Sequence, residues 1–162
     1  MRIPFSISPP LNAGLSGDTT AGGQARLDWA LADGADALIV SLGGNDILRA
    51  IDPSMARANL SAILDRAEAD GLPVLLIGIV VPPNYGTSYQ EAFRAIYPEL
   101  SQEYGTLLYP DFLHVFTKQQ DRAAVTSKWF QPDGLHPNEQ GVSKIVADMG
   151  PFVAQLVDLA AK

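Results

Sequence analysis

Two short apolar segments that run without alternation constrain the fold of this 162-residue chain more than any other feature. They are Ala37–Leu42 and Pro73–Val80, and each is followed at once by a joint rich in glycine or proline. Apolar runs of this length are typical of strands that are covered on both faces, as in parallel sheets. A weaker segment of the same kind, Thr106–Tyr109, ends at a Pro-Asp pair. The three segments together predict a parallel sheet.

Helical patterns lie between and around the predicted strands. Four helices are predicted in chain order: Thr20–Asp33, Asp52–Asp70, Ser88–Tyr104 and Asn138–Ala160. The second is predicted from Asp52 as N-cap with Pro53 at the first helical position, and the other three from apolar residues at helical spacing. We expect Pro98 to kink or restart the third helix and Gly150–Pro151 to interrupt the fourth, because proline removes a backbone hydrogen bond. The alternation of strands and helices predicts one α/β domain with helices on both faces of the sheet.

Charge and cysteine content exclude several classes of function. The chain has 18 acidic and 11 basic residues, a net charge of −7, and no basic block. Nucleic acids and anionic membranes are therefore poor partners, because both require clustered Lys and Arg. The absence of cysteine excludes disulfides, zinc–thiolate sites and cysteine nucleophiles. No apolar run is long enough to span a bilayer, and the first residues lack the apolar stretch of a signal peptide, so we expect a soluble protein.

Unusual polar residues occupy three joints of the predicted sheet, where active sites of open α/β folds gather. In Asn12–Thr19, the glycines allow backbone N–H groups to approach an anion or a developing oxyanion. The simpler interpretation is a turn in which Asp18 or Thr19 caps the next helix. In the second joint, residues 43–46, Asn45 can donate its amide to a substrate oxygen. Asp46 can cap the next segment or tie down the loop. The alternative interpretation is an ordinary Gly-Gly-Asn turn.

The third joint precedes the last helix and contains Asp133 and His136. At this spacing the carboxylate can accept the imidazole Nδ1–H and fix the tautomer, which leaves Nε2 free as a general base. The alternative is a capping turn with a surface histidine. The other histidine, His114, lies among apolar neighbours and is predicted to be structural. His136 is therefore the catalytic candidate.

Taken together, the three joints resemble blocks II, III and V of the SGNH (GDSL-type) hydrolases. Asn84–Gly86 and Glu91–Pro98 are similar to the branch of acyl-CoA thioesterase I, lysophospholipase L1 and arylesterases. The resemblance covers roughly residues 11–157. It implies a flavodoxin-like, three-layer α/β/α hydrolase with a parallel sheet.

The resemblance also implies a role for each matching residue. Gly17 would donate its backbone N–H and Asn45 its side-chain amide to the oxyanion, each worth about 3 kcal/mol in the transition state. His136 would be the base and Asp133 the carboxylate that orients it. The implied partner is a small-molecule acyl ester, and no metal or organic cofactor is implied.

The family's first block, in which Gly-Asp-Ser-Leu supplies the nucleophile, is not found before Asn12. A strand, a turn and a helix need about 25 residues, more than residues 1–11 provide. We therefore expect the first βα unit to be missing or remodelled, with residues 1–11 a remodelled N-terminal segment and residues 12–162 the hydrolase-like domain. Such a change uncovers a strand edge and apolar surface, which predicts a homo-oligomer.

Three hypotheses follow for activity. In the first, a substitute nucleophile forms an acyl-enzyme. Ser16 is the best placed candidate, and Ser6 and Ser8 are second choices. The simpler interpretation of Ser16 is a hydroxyl that belongs to a turn or caps a helix. In the second, the chain is a truncated, inactive SGNH-like protein or a binding module. In the third, Asp133 and His136 activate water directly. We favour a serine-type hydrolase of short-chain carboxylic esters and, by family analogy, thioesters. Relatives are often periplasmic or secreted; the sequence does not specify the compartment.

Overall fold

The structure is a computed structural model that describes residues 10–117, 119 and 121–161. Its centre is a parallel sheet of three strands in the order β1–β2–β3. The strands are β1 (Leu38–Val40), β2 (Val74–Ile77) and β3 (Leu107–Tyr109). Leu38 pairs with Val74, and Leu75 pairs with Leu107. Each strand lies within one of the predicted apolar segments, so the parallel sheet is confirmed.

Helices precede, separate and follow the strands. In chain order they are α1 (Thr20–Ala25), α2 (Leu27–Ala30), α3 (Gly44–Leu48), α4 (Pro53–Ala69), α5 (Thr87–Tyr104), α6 (His114–Thr117), α7 (Arg122–Trp129) and α8 (Glu139–Ala160), with a short 3₁₀ turn at Pro83–Tyr85. The prediction of a single helix over Thr20–Asp33 was wrong, because the segment breaks at Arg26 into α1 and α2. Two consecutive glycines inside α1 weaken the helix, since glycine is a poor helix former.

The predicted restart of the helix at Pro98 and the predicted interruption at Gly150–Pro151 were also wrong. Both prolines are exposed, and α5 and α8 continue through them. In α5 the buried side chains of Phe93 and Leu100 lie on either side of Pro98. Packing of such flanking residues offsets the cost of about 3 kcal/mol for an internal proline.

Helices cover both faces of the sheet, as predicted. Val74 and Leu76 pack in one apolar cluster with residues of α4 and α5. Leu75 and Ile77 point the other way and pack with Leu156 of α8. We call these two sides the α4/α5 face and the α8 face. Because β2 is buried on both faces, its sequence is apolar without alternation.

Both outer strands of the sheet in the part of the chain that the structure describes, β1 and β3, pair with β2 alone. Ile39 of β1 lies in register with Leu75 and is 43% exposed. On α8, Val142 and Val146 are also exposed. These three apolar side chains are exposed among the described residues. None of the described helices combines the length and the hydropathy needed to cross a membrane.

Candidate functional site

The glycine-rich segment before α1 is fastened to α3 by two side chains. The Asn45 Nδ2 group donates to the backbone carbonyl of Asp18 at 2.9 Å. The guanidinium of Arg49 donates to the carbonyl of Gly17 at 3.0 Å. Arg49 caps the C-terminal end of α3 and comes four residues after Asn45, so the two side chains project from the same side. The two proposed oxyanion donors, Gly17 and Asn45, thus belong to one connected group.

Gly17 has a backbone conformation that favours glycine, with φ of +79°. No heavy atom outside its chain neighbours lies within 4 Å of the point where a Cβ would stand. The backbone here is consequently accessible from outside. Ser16, the residue before it, is exposed in the same loop.

Arg26 holds the other side of this loop. Its Nε donates to the Asp18 carboxylate at 2.5 Å, and its Nη1 donates to the carbonyl of Ala13. Thr19 caps α1 by accepting from the N–H of Gly22 at 3.2 Å, so the simpler interpretation of this joint also holds. Neither Arg26 nor Arg49 was predicted from the sequence. The four-residue spacing from Asn45 was an available signal for Arg49.

Asp46 lies fully buried beneath the loop. Its carboxylate accepts from the backbone N–H of Thr20 at 2.8 Å and from the Thr20 hydroxyl at 2.5 Å. Asn59 of α4 donates to the same hydroxyl oxygen at 3.0 Å. The expectation that Asp46 ties down the loop is confirmed, since it joins the start of α1 to α3.

The second joint is not the ordinary turn of the alternative interpretation, because α3 begins at Gly44. Gly43 precedes it with φ of +118°, and a Cβ at this position would overlap the Tyr97 hydroxyl. That hydroxyl donates to the carbonyl of Leu42 at 2.9 Å. A side chain at residue 43 would therefore displace the turn that presents Asn45.

The Asp133 carboxylate and the His136 ring are hydrogen-bonded, with 2.8 Å between Oδ2 and Nδ1. The other carboxylate oxygen accepts from the backbone N–H groups of Leu135, at 2.9 Å, and His136, at 3.0 Å. Asp133 therefore makes both the predicted hydrogen bond to the His136 ring and the backbone hydrogen bonds of the alternative capping turn. The backbone N–H of His136, followed by its ring and the N–H of Leu135, lowers the pKa of Asp133 to about 2.

The charge of Asp133 determines which nitrogen of His136 carries the proton. An ionised carboxylate can only accept hydrogen bonds, so the imidazole Nδ1 is the donor. Nε2 of the neutral ring is then the free lone pair, as a general base requires. The His136 side chain is 66% exposed, which leaves room for a substrate or a water molecule beside it.

The loop that carries His136 is closed at its base. The N–H of Gln131 donates to the carbonyl of His136 at 2.7 Å, and Phe130 forms an antiparallel bridge with Pro137. Asn138 caps α8 by accepting from the N–H of Gly141 at 3.0 Å. The position of His136 is thus set by α7 and α8.

The structure gives two groups of predicted site residues: Gly17 with Asn45, and Asp133 with His136. No hydrogen bond within residues 10–117, 119 and 121–161 links one group to the other. His114 is half-buried with its ring edge-on to Tyr109, a packing position that fits the structural role predicted for it. Ser6 and Ser8 lie outside the described residues. Among the described side chains there is no group of three or more that would hold a metal ion.

Comparison with known proteins shows what this chain is similar to, independently of the geometry of the site. The profile of the GDSL-like Lipase/Acylhydrolase family matches residues 6–143. An esterase, TesA, of Pseudomonas aeruginosa is 38% identical over 148 residues, which is 91% of this chain and 70% of that protein. Thioesterase 1/protease 1/lysophospholipase L1 of Escherichia coli K12 is 40% identical over 146 residues; these cover 89% of this chain and 62% of the relative.

A solved structure agrees with these matches. AlinE4, described as an SGNH-hydrolase family esterase, is 40% identical and superposes with a TM-score of 0.68. The alignment covers 90% of this chain and 75% of that structure. The fold, including the parallel sheet and its flanking helices, is therefore shared with this solved enzyme.

Proposed function

This chain belongs to the GDSL-like lipase/acylhydrolase family, and from that premise we propose that it is a serine-type hydrolase of short-chain carboxylic esters. The observation that carries the proposal is the 2.8 Å hydrogen bond between Asp133 and His136. The names of the relatives extend the proposed substrates to thioesters. The reaction proceeds through an acyl-enzyme.

In the proposed reaction, His136 Nε2 removes the proton of a serine hydroxyl while that oxygen attacks the ester carbonyl carbon. The carbonyl oxygen becomes an oxyanion, which accepts from the Gly17 N–H and the Asn45 amide. Asn45 has two amide hydrogens, and one of them is engaged by Asp18, so the second is the donor to the oxyanion. The protonated His136 then gives its proton to the leaving alkoxide or thiolate, and water releases the acyl group by the same steps.

We assign Ser16 as the substitute nucleophile. It is exposed and adjoins Gly17, so its hydroxyl and the first oxyanion donor lie on the same loop. Arg26 and Arg49 hold that loop from two sides, which limits the movement of Ser16 relative to Asn45. A fixed nucleophile beside fixed donors is the arrangement that acyl transfer requires.

A serine-directed phosphonate tests the nucleophile directly. On incubation with an ethyl p-nitrophenyl alkylphosphonate, we expect one adduct per chain, located on Ser16 by peptide mass spectrometry. Ser16→Ala should abolish the adduct and the hydrolysis of p-nitrophenyl acetate together. Ser41→Ala, which changes an exposed serine elsewhere on the chain, is the matched control and should label as the unaltered protein does. An adduct on Ser6 or Ser8, or none on a sample that hydrolyses esters, would refute the assignment of Ser16.

A second candidate is an SGNH-like binding module without turnover. It is favoured by one observation: in the described part of the chain, no serine hydroxyl is hydrogen-bonded to His136. This candidate requires ester hydrolysis no faster than buffer. If hydrolysis occurs without any phosphonate adduct and without burst kinetics, direct activation of water by Asp133 and His136 replaces the acyl-enzyme.

We further propose that residues 12–162 form the hydrolase-like domain and that it self-associates as a homo-oligomer. The open edge of β1 and the exposed Ile39, Val142 and Val146 support a second copy as the occupant. Light scattering at micromolar concentration should give at least twice the mass of the chain. Ile39→Lys places a charge beside the open edge and should shift the protein towards monomer, whereas Val80→Lys, at an exposed valine away from β1, should not. A monodisperse monomer would contradict the proposal.

A further inference from the structure

A cavity separate from the residues discussed above lies between α7 and α8. Its volume is about 620 Å³, within the range of small-molecule sites. Its walls include Ala124, Val125, Lys128, Trp129 and Lys144. The cavity therefore combines an apolar wall, an indole and two ammonium groups.

The two lysines converge on one aromatic ring. The Lys128 and Lys144 ammonium nitrogens lie 4.7 and 5.2 Å from the centre of the Trp129 ring. They are consequently no more than about 10 Å apart, a separation at which like charges still repel at moderate ionic strength. The ring offsets part of that repulsion through cation–π attraction. A negative charge close to either ammonium group would offset more of it.

No carboxylate among the described residues lies within 4 Å of either ammonium group. Asp121 also lines the cavity, and its carboxylate caps α7 by accepting from the N–H of Ala124 at 3.0 Å. With two lysines and one aspartate, the lining has one excess positive charge. The chain as a whole has a net charge of −7. Within the described part of the chain, these two lysines therefore place two positive charges beside one indole without a carboxylate in salt-bridge contact.

The apolar wall of the cavity is held in place. Val125 is buried, and the ring of Trp129 packs against Phe116 with 6.3 Å between ring centres. The carbonyl of Trp129 also accepts from the N–H of Asn138 at 2.9 Å. Fixed apolar walls with a few convergent polar groups are the usual form of a ligand site.

We propose that this cavity binds a small amphiphilic anion, a carboxylate or phosphate attached to a short alkyl or aryl group. The anionic head lies near the two lysine ammonium groups, and the apolar part lies against Trp129 and Val125. The site adjoins the His136 loop, because Asn138 also donates to the carbonyl of Lys128 at 3.0 Å. The proposal does not depend on ester hydrolysis and holds for a protein of either candidate function.

Tryptophan fluorescence tests the proposal. The chain has two tryptophans, and Trp29 is 75% exposed, so Trp29→Phe leaves Trp129 as the single reporter with little effect on folding. We expect hexyl phosphate and hexanoate to change its emission saturably at constant ionic strength, and hexanol to have no such effect. The anion that binds more tightly shows whether the cavity prefers a phosphate or a carboxylate head group. Calorimetric titration of the unaltered protein with the same anions provides a second readout.

Charge variants locate the site. Lys128→Gln and Lys144→Gln should each weaken binding of hexyl phosphate about fivefold, as expected for the loss of one exposed ion pair. Arg94→Gln removes one charge from α5, on the opposite face of the sheet, and should leave binding unchanged. The proposal is overturned by a response that does not saturate, by equal binding of hexanol, or by an equal loss in Arg94→Gln.

Discussion

Replacement of His136 by glutamine is expected to lower kcat/KM for p-nitrophenyl acetate about 10²- to 10⁴-fold, the usual contribution of a general base. Glutamine keeps a polar side chain of similar size but has no basic nitrogen. Because His136 is largely exposed, the substitution should leave the melting temperature nearly unchanged. Initial rates and thermal denaturation, measured on the same preparation, separate loss of chemistry from loss of fold.

Asp133→Asn tests the orienting carboxylate in the same assay. The asparagine side-chain carbonyl can still accept from the N–H groups of Leu135 and His136, so the turn is kept. The amide NH2 that then faces Nδ1 donates to it and so favours the tautomer protonated on Nε2, which cannot act as the base; losses of about 10⁴-fold are known for such a change in a serine triad. His114→Gln is the matched control, since it removes the other histidine, and it should retain most activity. Equal losses in the His114 and His136 variants would contradict the assignment of the base.

Replacement of Asp46 by alanine should destabilise the protein by about 3–5 kcal/mol. The substitution removes two charge-assisted hydrogen bonds and leaves the buried N–H of Thr20 without its acceptor. For a domain of this size, the melting temperature should fall by roughly 10 °C or more. Chemical denaturation followed by circular dichroism gives the free energy of unfolding.

Asp28→Ala is the control for this measurement. Asp28 is 83% exposed and pairs with Arg66 at the surface, so its loss should cost less than about 1 kcal/mol. Because Asp46 joins α1 to α3, the Asp46 variant should also lose activity through displacement of the loop that contains Gly17. If the two variants were equally stable, the buried carboxylate would not be the joint between these helices.

Much of this fold could be predicted because its signals are local. The three strands are continuous apolar runs, and α4 begins after Asp52, whose carboxylate accepts from the N–H of Ser54 as an N-cap does. The resemblance to the SGNH hydrolases, carried by three short joints, is confirmed by the family match over residues 6–143. Short helices such as α3 and α7 were missed, because few residues give them too little periodicity to recognise.

The candidate site also has one part that could be predicted from the sequence and one part that could not. Asp133 and His136 are three residues apart, so their pairing follows from turn chemistry and was foreseeable. The contact of Asn45 with Asp18 joins positions 27 residues apart and depends on how α1 packs beside α3. The end of α1 at Arg26 has both kinds of cause: the two glycines inside α1 are a local signal, whereas the contacts of Arg26 with Asp18 and Ala13 form only in the folded chain. The catalytic roles of these residues remain predictions until the variants are measured.

The parallel order of the three strands has a consequence for how the chain reaches its native state. Leu38 pairs with Val74 and Leu75 with Leu107, so no strand meets its neighbour until an intervening helix has been traversed. Sheets of such high contact order fold slowly, because the entropy of closing long loops is lost before their contacts form. Leu75 and Ile77 on the α8 face are covered only when Leu156 arrives. During synthesis on the ribosome, the α8 face of the sheet therefore stays uncovered until α8 has been made.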